Sequence, residues 1–213
     1  TLIGTTDIEH GPLTSDPEIT EEEIRYLCGA TNQYFKQNID PGDVVSHYSG
    51  VRPLLDSGQD DPSSVTRDYK LIVERHKGQP LLNIFGGKLT TYRKLAEQAM
   101  HQLSVYLPAQ GPDWTASAPL PGGDIPDADF NGFLEKAAKD FPDFDFPILK
   151  RLARAYGTAI YKIFEDGTGK DLGDGVSEAE INYLIKFEWA RSLDDILWRR
   201  SKLGLHISEE TKN

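Results

Sequence analysis

From Pro108 to Pro126 the chain reads PAQGPDWTASAPLPGGDIP. Proline fixes its own φ and lacks an amide donor, and glycine loses the most freedom on ordering. Neither a strand nor a helix therefore runs through such a stretch. This punctuation divides the 213 residues into two parts of unlike pattern. We expect a mixed α and β part over residues 1–107, a linker over 108–124, and an all-helical unit over 125–213. No internal repeat links the two.

In the first part, TLIGTTD is β-branched and apolar, with Gly4 as a bulge or close-approach point, and reads as a strand. In ITEEEIRYLCGATNQYF, Thr20 followed by Glu23 forms a capping-box pattern. The acidic first turn favours a helix start there, and Ile24, Leu27 and Tyr34 fall near helical spacing. DVVSHYSGVRPLL reads as a strand ending at Pro53, which restricts Arg52 to extended backbone. RDYKLIVERHKGQPLLNIF alternates Tyr69, Leu71 and Val73, turns at HKGQP and returns through Leu81–Phe85. It predicts a strand pair within a larger sheet. A helix is predicted from Thr90 to about Tyr106, because Leu95, Ala99 and Leu103 recur on one face.

Beyond the linker nothing reads as a strand. DADFNGFLEKAAKDF, FPILKRLARAYG, TAIYKIF and SEAEINYLIKFEWARSLDDILWRRSKLG all fit helices, with Ser177 and Glu180 as a second capping box and Gly157 and Gly204 as stops. Tyr183, Trp189 and Trp198 fall near helical spacing and are expected in the core. WRRSK is expected on a solvated face, and EDGTGKDLGDG as a helix-to-helix loop without the position-12 glutamate of a calcium site.

Chemistry concentrates at one turn. In NIFGGKLTTYRKLAEQAM a strand ends, passes Gly86 and Gly87, and enters a helix at Lys88. Glycines admit positive φ and close backbone approach, and a helix start presents unpaired N–H groups that attract electron-rich atoms. Ordinary strand-to-helix turns share this pattern, so the turn alone leaves both readings open. It is neither a Walker A motif nor a dinucleotide fingerprint; G-x-G-x-x-G occurs nowhere in the chain. Arg52 and Arg67, with Lys88 and Arg93, would form a local positive field for a small anion. Asp56, Asp60, Asp61 and Asp68 lie close enough in sequence to neutralise those arginines instead.

Other classes find less support. A net charge of −11 argues against general nucleic-acid binding, which depends on phosphate neutralisation. The five histidines, at 10, 47, 76, 101 and 206, show no H-x-x-x-H or Cys/His zinc pattern. Cys28 reads as a buried, inert thiol and admits no internal disulfide. No stretch approaches the roughly 20 apolar residues of a membrane span, and we expect no signal peptide. The chain opens inside a predicted strand and its one methionine is Met100, so we expect a piece of a longer protein.

Taken in order, TLIGTTD, YSGVRPL, TRDY, FGGKLTTYRKLAEQA, LPGG and EWARSLDDILWRR resemble the C-terminal part of FAD-dependent glycerol-3-phosphate dehydrogenases of the aerobic, quinone-linked, membrane-peripheral type. The resemblance implies an α+β to α/β piece: distal strands and a helix of glutathione-reductase-like FAD and substrate domains, followed by an all-helical C-terminal cap domain. It implies FAD contacted by Gly86, Gly87, Lys88, Leu89 and Thr90, with the following helix aimed at the flavin ring. Arg52, Arg67 and Lys88 would hold glycerol 3-phosphate; the general base stays unassigned.

It further implies a quinone acceptor, a homodimer, and a cytoplasmic enzyme peripheral on the inner face of the cell membrane. The family's N-terminal βαβ unit is missing from these residues, so this chain alone is expected neither to hold FAD tightly nor to turn over. The alternatives are a glycerol-3-phosphate oxidase using dioxygen and a non-catalytic helical interaction module.

Overall fold

The capping box read at Thr20 forms as expected in a computed structural model that describes residues 1–8, 16–51, 68–108 and 111–212. Glu23 N–H donates to the Thr20 hydroxyl at 3.2 Å, and Thr20 N–H donates back to the Glu23 carboxylate at 2.9 Å. These two bonds satisfy donors that the helix cannot, and α1 runs Glu21–Asn32 with Cys28 buried. The chain separates into two compact units, Thr1–Ala116 and Ser117–Asn213.

In the first unit, β1 (Lys70–His76) and β2 (Gln79–Phe85) pair antiparallel with His76 opposite Gln79. Lys77 and Gly78 make the two-residue turn, both left-handed at φ 51° and 84°, which matches the twist of the strands. Helix α2 covers Tyr92–Leu103, entered through a 3₁₀ turn at Leu89–Thr91. The hairpin leans on α2 through Tyr69, whose hydroxyl donates to Gln98 Oε1 at 2.8 Å.

Three expectations for this unit fail. Residues 1–8 form no strand, and the Cβ position of Gly4 faces open space. Residues 44–51 are likewise not a strand, and Val45 and Tyr48 are exposed. β-propensity expresses itself only where a neighbouring strand accepts the ladder, and none pairs with either stretch among the described residues. The hairpin is not part of a larger sheet there; β1 and β2 pair only with each other. Of the unit's described apolar residues only Cys28 and Ala99 are buried.

The second unit holds the core. Helices α3 (Phe130–Asp140), α4 (Phe146–Tyr156), α5 (Ile160–Ile163) and α6 (Glu178–Phe187) bring Ala137, Leu149, Leu152, Ile160 and Leu184 together. Asp129 caps α3 by accepting from Gly132 N–H at 3.0 Å. Gly157 ends α4 as expected, at φ 52° and ψ −135°, a conformation that glycine takes without a side-chain penalty. It also meets Gly122: a Cβ on either glycine would strike the other segment's backbone carbonyl, and Thr158 N–H donates to Gly122 O at 3.0 Å.

The second capping box is only half made. Ser177 accepts from Glu180 N–H at 3.3 Å, but the Glu180 carboxylate points inward and is fully buried. It takes both Arg151 Nη atoms, at 2.7 and 2.8 Å, and the Tyr156 hydroxyl at 2.7 Å. Burial, followed by the Glu180 charge, pushes the Tyr156 hydroxyl far above its ordinary range.

Further corrections belong to this unit. A small hairpin, β3 (Asp171–Gly173) with β4 (Val176–Ser177), stands where a loop was expected. Asp174 and Gly175 turn it, both at positive φ, as an Asp-Gly pair favours. The predicted long last helix stops at Phe187; a π-helical turn at Asp195–Arg200 and a short α7 (Glu209–Lys212) follow. Trp189 is not core but 75% exposed, and Trp198 is also exposed; Tyr183 is buried as expected.

Gly204 is no helix stop. It lies against the Trp198 ring, where a Cβ would come within 2.4 Å. Within WRRSK, Arg199 is solvated, but Arg200 turns back to donate to Glu188 O at 2.6 Å.

Candidate functional site

The strand-to-helix turn between β2 and α2 carries the local geometry read from its glycines. Gly86 and Gly87 adopt φ 71° and 106°, which only glycine takes without strain. Gly87 is also crowded: a Cβ there would lie 3.3 Å from Leu95 Cδ1 and 3.4 Å from Tyr69 Cβ. Backbone approaches side chain closely at this point, so the turn is held in one path.

Lys88 resumes extended backbone at φ −107° and caps the 3₁₀ turn. Thr91 N–H donates to Lys88 O at 3.0 Å, and the Thr91 hydroxyl donates to the same carbonyl at 2.9 Å. The N–H groups of Leu89 and Thr90 come before any intrahelical acceptor and so find no partner within the turn. Gly87, Lys88, Leu89 and Thr90 are all exposed, Leu89 at 89%. The Lys88 ammonium has no ion-pair partner among the described residues.

One expected contributor to the positive field is spoken for. Arg93 donates to Glu97 Oε1 at 2.8 Å, Lys94 reaches Oε2 at 2.7 Å, and the Thr115 hydroxyl donates to the same carboxylate. The hydrogen bonds from Lys94 and Thr115, aided by the charges of Lys94 and Arg93, hold the Glu97 carboxyl down at about 2 against its burial. The buried Glu97 carboxylate lies one turn from Arg93, and the i, i+4 spacing of the two is the sequence signal for such a pair. Of the residues read as a site, Gly86 to Thr90 are brought together; Arg52 and Arg67 lie outside the described residues. No group of three or more His, Cys, Asp or Glu that could hold a metal ion forms among the described residues.

Comparison with known proteins covers most of the chain. Residues 1–93 match the family model described as FAD dependent oxidoreductase, and residues 114–213 match the C-terminal domain of alpha-glycerophosphate oxidase. A D-erythritol 1-phosphate dehydrogenase of Brucella abortus is 43% identical, over 98% of this chain and 42% of its own length. A glycerol-3-phosphate dehydrogenase of Pseudomonas aeruginosa is 45% identical over the same shares, 98% and 42%. The aerobic glycerol-3-phosphate dehydrogenase of Escherichia coli is 40% identical over 100% of this chain and 43% of its own. The chain thus spans less than half the length of these curated relatives. No helix among the described residues is long and apolar enough to cross a membrane.

Proposed function

We propose that the chain is the distal part of an FAD-dependent glycerol-3-phosphate dehydrogenase, because residues 1–93 match the model of the FAD dependent oxidoreductases and residues 114–213 that of the C-terminal domain of alpha-glycerophosphate oxidase. The reaction is oxidation of sn-glycerol 3-phosphate to dihydroxyacetone phosphate, with electrons passed to a quinone. Identity of 40% and 45% along nearly the whole chain to enzymes named for that dehydrogenation carries the reading. On it, residues 1–107 complete glutathione-reductase-like FAD and substrate domains, 108–124 link, and 125–213 form the helical cap. The scarcity of buried apolar residues among the described residues of the first unit favours this, since such a unit needs further chain to cover it.

The turn suits a flavin edge. Exposed N–H groups at Leu89 and Thr90, and a glycine pair that keeps side chains out of the path, fit a ring whose electron-rich edge approaches backbone. When bound, FAD accepts the hydride from substrate carbon 2. This chain's own residues bind and orient. The Arg52 guanidinium grips the substrate in a planar fork, while Arg67 and the Lys88 ammonium neutralise its phosphate. The enzyme is a homodimer, peripheral on the inner face of the cell membrane.

D-Erythritol 1-phosphate is the second substrate reading, favoured by the 43% identity to the Brucella enzyme. Both substrates present a phosphorylated polyol, so the same cations serve either.

In the longer enzyme, Arg52→Ala should lower kcat/KM for glycerol 3-phosphate by about 10–150-fold, the loss of one charged hydrogen bond worth about 1.5–3 kcal/mol, with flavin content unchanged. Unchanged efficiency would remove Arg52 from the site. A higher kcat/KM for D-erythritol 1-phosphate would select the second substrate. The 213-residue chain, mixed with FAD and desalted, should emerge colourless; flavin retained in equal proportion would overturn the need for the remaining chain.

A further inference from the structure

The outward face of α4 carries two cations one turn apart, Lys150 and Arg154. Neither has a carboxylate partner among the described residues, in a chain of net charge −11. Arg151, between them, is turned inward to Glu180 and to Gly175 O. Two open cavities of about 390 and 490 Å³ meet at Arg154 and Ala155. The first is walled by Pro121, Ile125 and Phe130, the second by Pro147 and Lys150. No carboxylate lines either one.

The first cavity has a fixed wall. Gly122 and Gly157 sit backbone against backbone, and the bond from Thr158 N–H to Gly122 O holds the incoming loop to the end of α4. Both are shallow and open to solvent, with apolar walls beside two placed charges. We propose that this groove binds an amphiphilic organic anion, its acidic head between Arg154 and Lys150 and its apolar body against Phe130, Ile125 and Pro121. Arg154 offers a planar fork to phosphate or carboxylate and Lys150 a mobile point charge. A purely inorganic anion leaves the apolar wall unused, and a neutral alkane leaves both cations solvated.

The test is calorimetric titration of the longer enzyme that contains this chain with octyl phosphate, inorganic phosphate and octanol. Octyl phosphate should bind saturably and about tenfold or more tighter than either of the others. The double variant Lys150→Gln/Arg154→Gln should weaken it about tenfold or more, because a charged hydrogen bond is worth at least one decade. Both side chains are exposed, and an unchanged thermal midpoint will show that the variant is folded.

Sedimentation with phosphatidylglycerol but not phosphatidylcholine vesicles, abolished in the variant, supports the groove with a membrane lipid as its ligand. Octyl phosphate binding without sedimentation supports it with a soluble ester. Equal affinity in the double variant, equal binding of inorganic phosphate, or no saturable binding would overturn it.

Discussion

Replacing Glu180 by alanine isolates the energetics of the second unit. The side chain is 0% exposed and accepts three side-chain hydrogen bonds, two from Arg151 and one from Tyr156. Removing it leaves a guanidinium and a hydroxyl without their acceptor in partly buried surroundings. Breaking a buried ion pair by deleting one partner costs about 3–5 kcal/mol, and each orphaned donor about 1–3. Arg151 keeps 29% side-chain exposure and can recover some hydration, which places the loss near the lower end, about 3 kcal/mol. With urea slopes of about 1–3 kcal/mol/M, the midpoint should fall by about 1–3 M, followed by far-UV circular dichroism and by Trp189 and Trp198 fluorescence. The triple variant Arg151→Met/Tyr156→Phe/Glu180→Leu, which removes both donors along with their acceptor, should return to within about 1 kcal/mol of the parent, because the penalty lies in the uncompensated charge and the orphaned hydroxyl. A loss below about 1 kcal/mol in Glu180→Ala would refute the network as a buried, coupled unit.

Trp189 sits at φ 58° just past α6, where glycine is the usual occupant. Trp189→Gly should stabilise by about 0.5–1 kcal/mol, raising the thermal midpoint by a few degrees; an unchanged or lowered midpoint would assign the indole a packing role. Asp195 is held down to about 2, first by the Arg191 backbone N–H, as Glu97 is by Lys94 and Thr115. Both groups titrate lower when folded, from ordinary values of 3.8 and 4.5, so the unfolded chain binds protons first. Their contribution is complete above about pH 4.5 and should disappear as pH falls towards about 2. Glu97→Gln and Asp195→Asn should each flatten an acid titration followed by circular dichroism, and identical profiles would contradict the assignment.

Features settled within four or five residues were legible from the letters. Thr20 with Glu23, the HKGQP turn after the alternation of Tyr69, Leu71 and Val73, and Gly157 after an amphipathic stretch all act locally, and each forms as read. What escaped depends on distant partners. Glu180 has the spacing of a capping residue, yet Arg151 offers it a stronger interaction than the cap does. Gly204 follows a helical pattern as a stop would, but the Trp198 ring occupies the space beside it. TLIGTTD has strand composition without a strand to pair with among the described residues.

The candidate site divides the same way. The glycine turn was readable because conformation there is intrinsic, whereas the engagement of Arg93 required knowing that Glu97 faces it and that Thr115 joins them. The short β3–β4 hairpin is hidden for a simpler reason: its Asp-Gly turn signal stands among other glycines that equally suit a loop.

The abutting pair Gly122 and Gly157 sets a boundary condition for anyone redesigning this surface. Since a Cβ at position 157 would strike Gly122 O and one at position 122 would strike Tyr156 O, no compensating exchange can swap bulk from one position to the other. A grafted loop must keep both positions bare, and the rest of the loop can then be rewritten around that fixed junction.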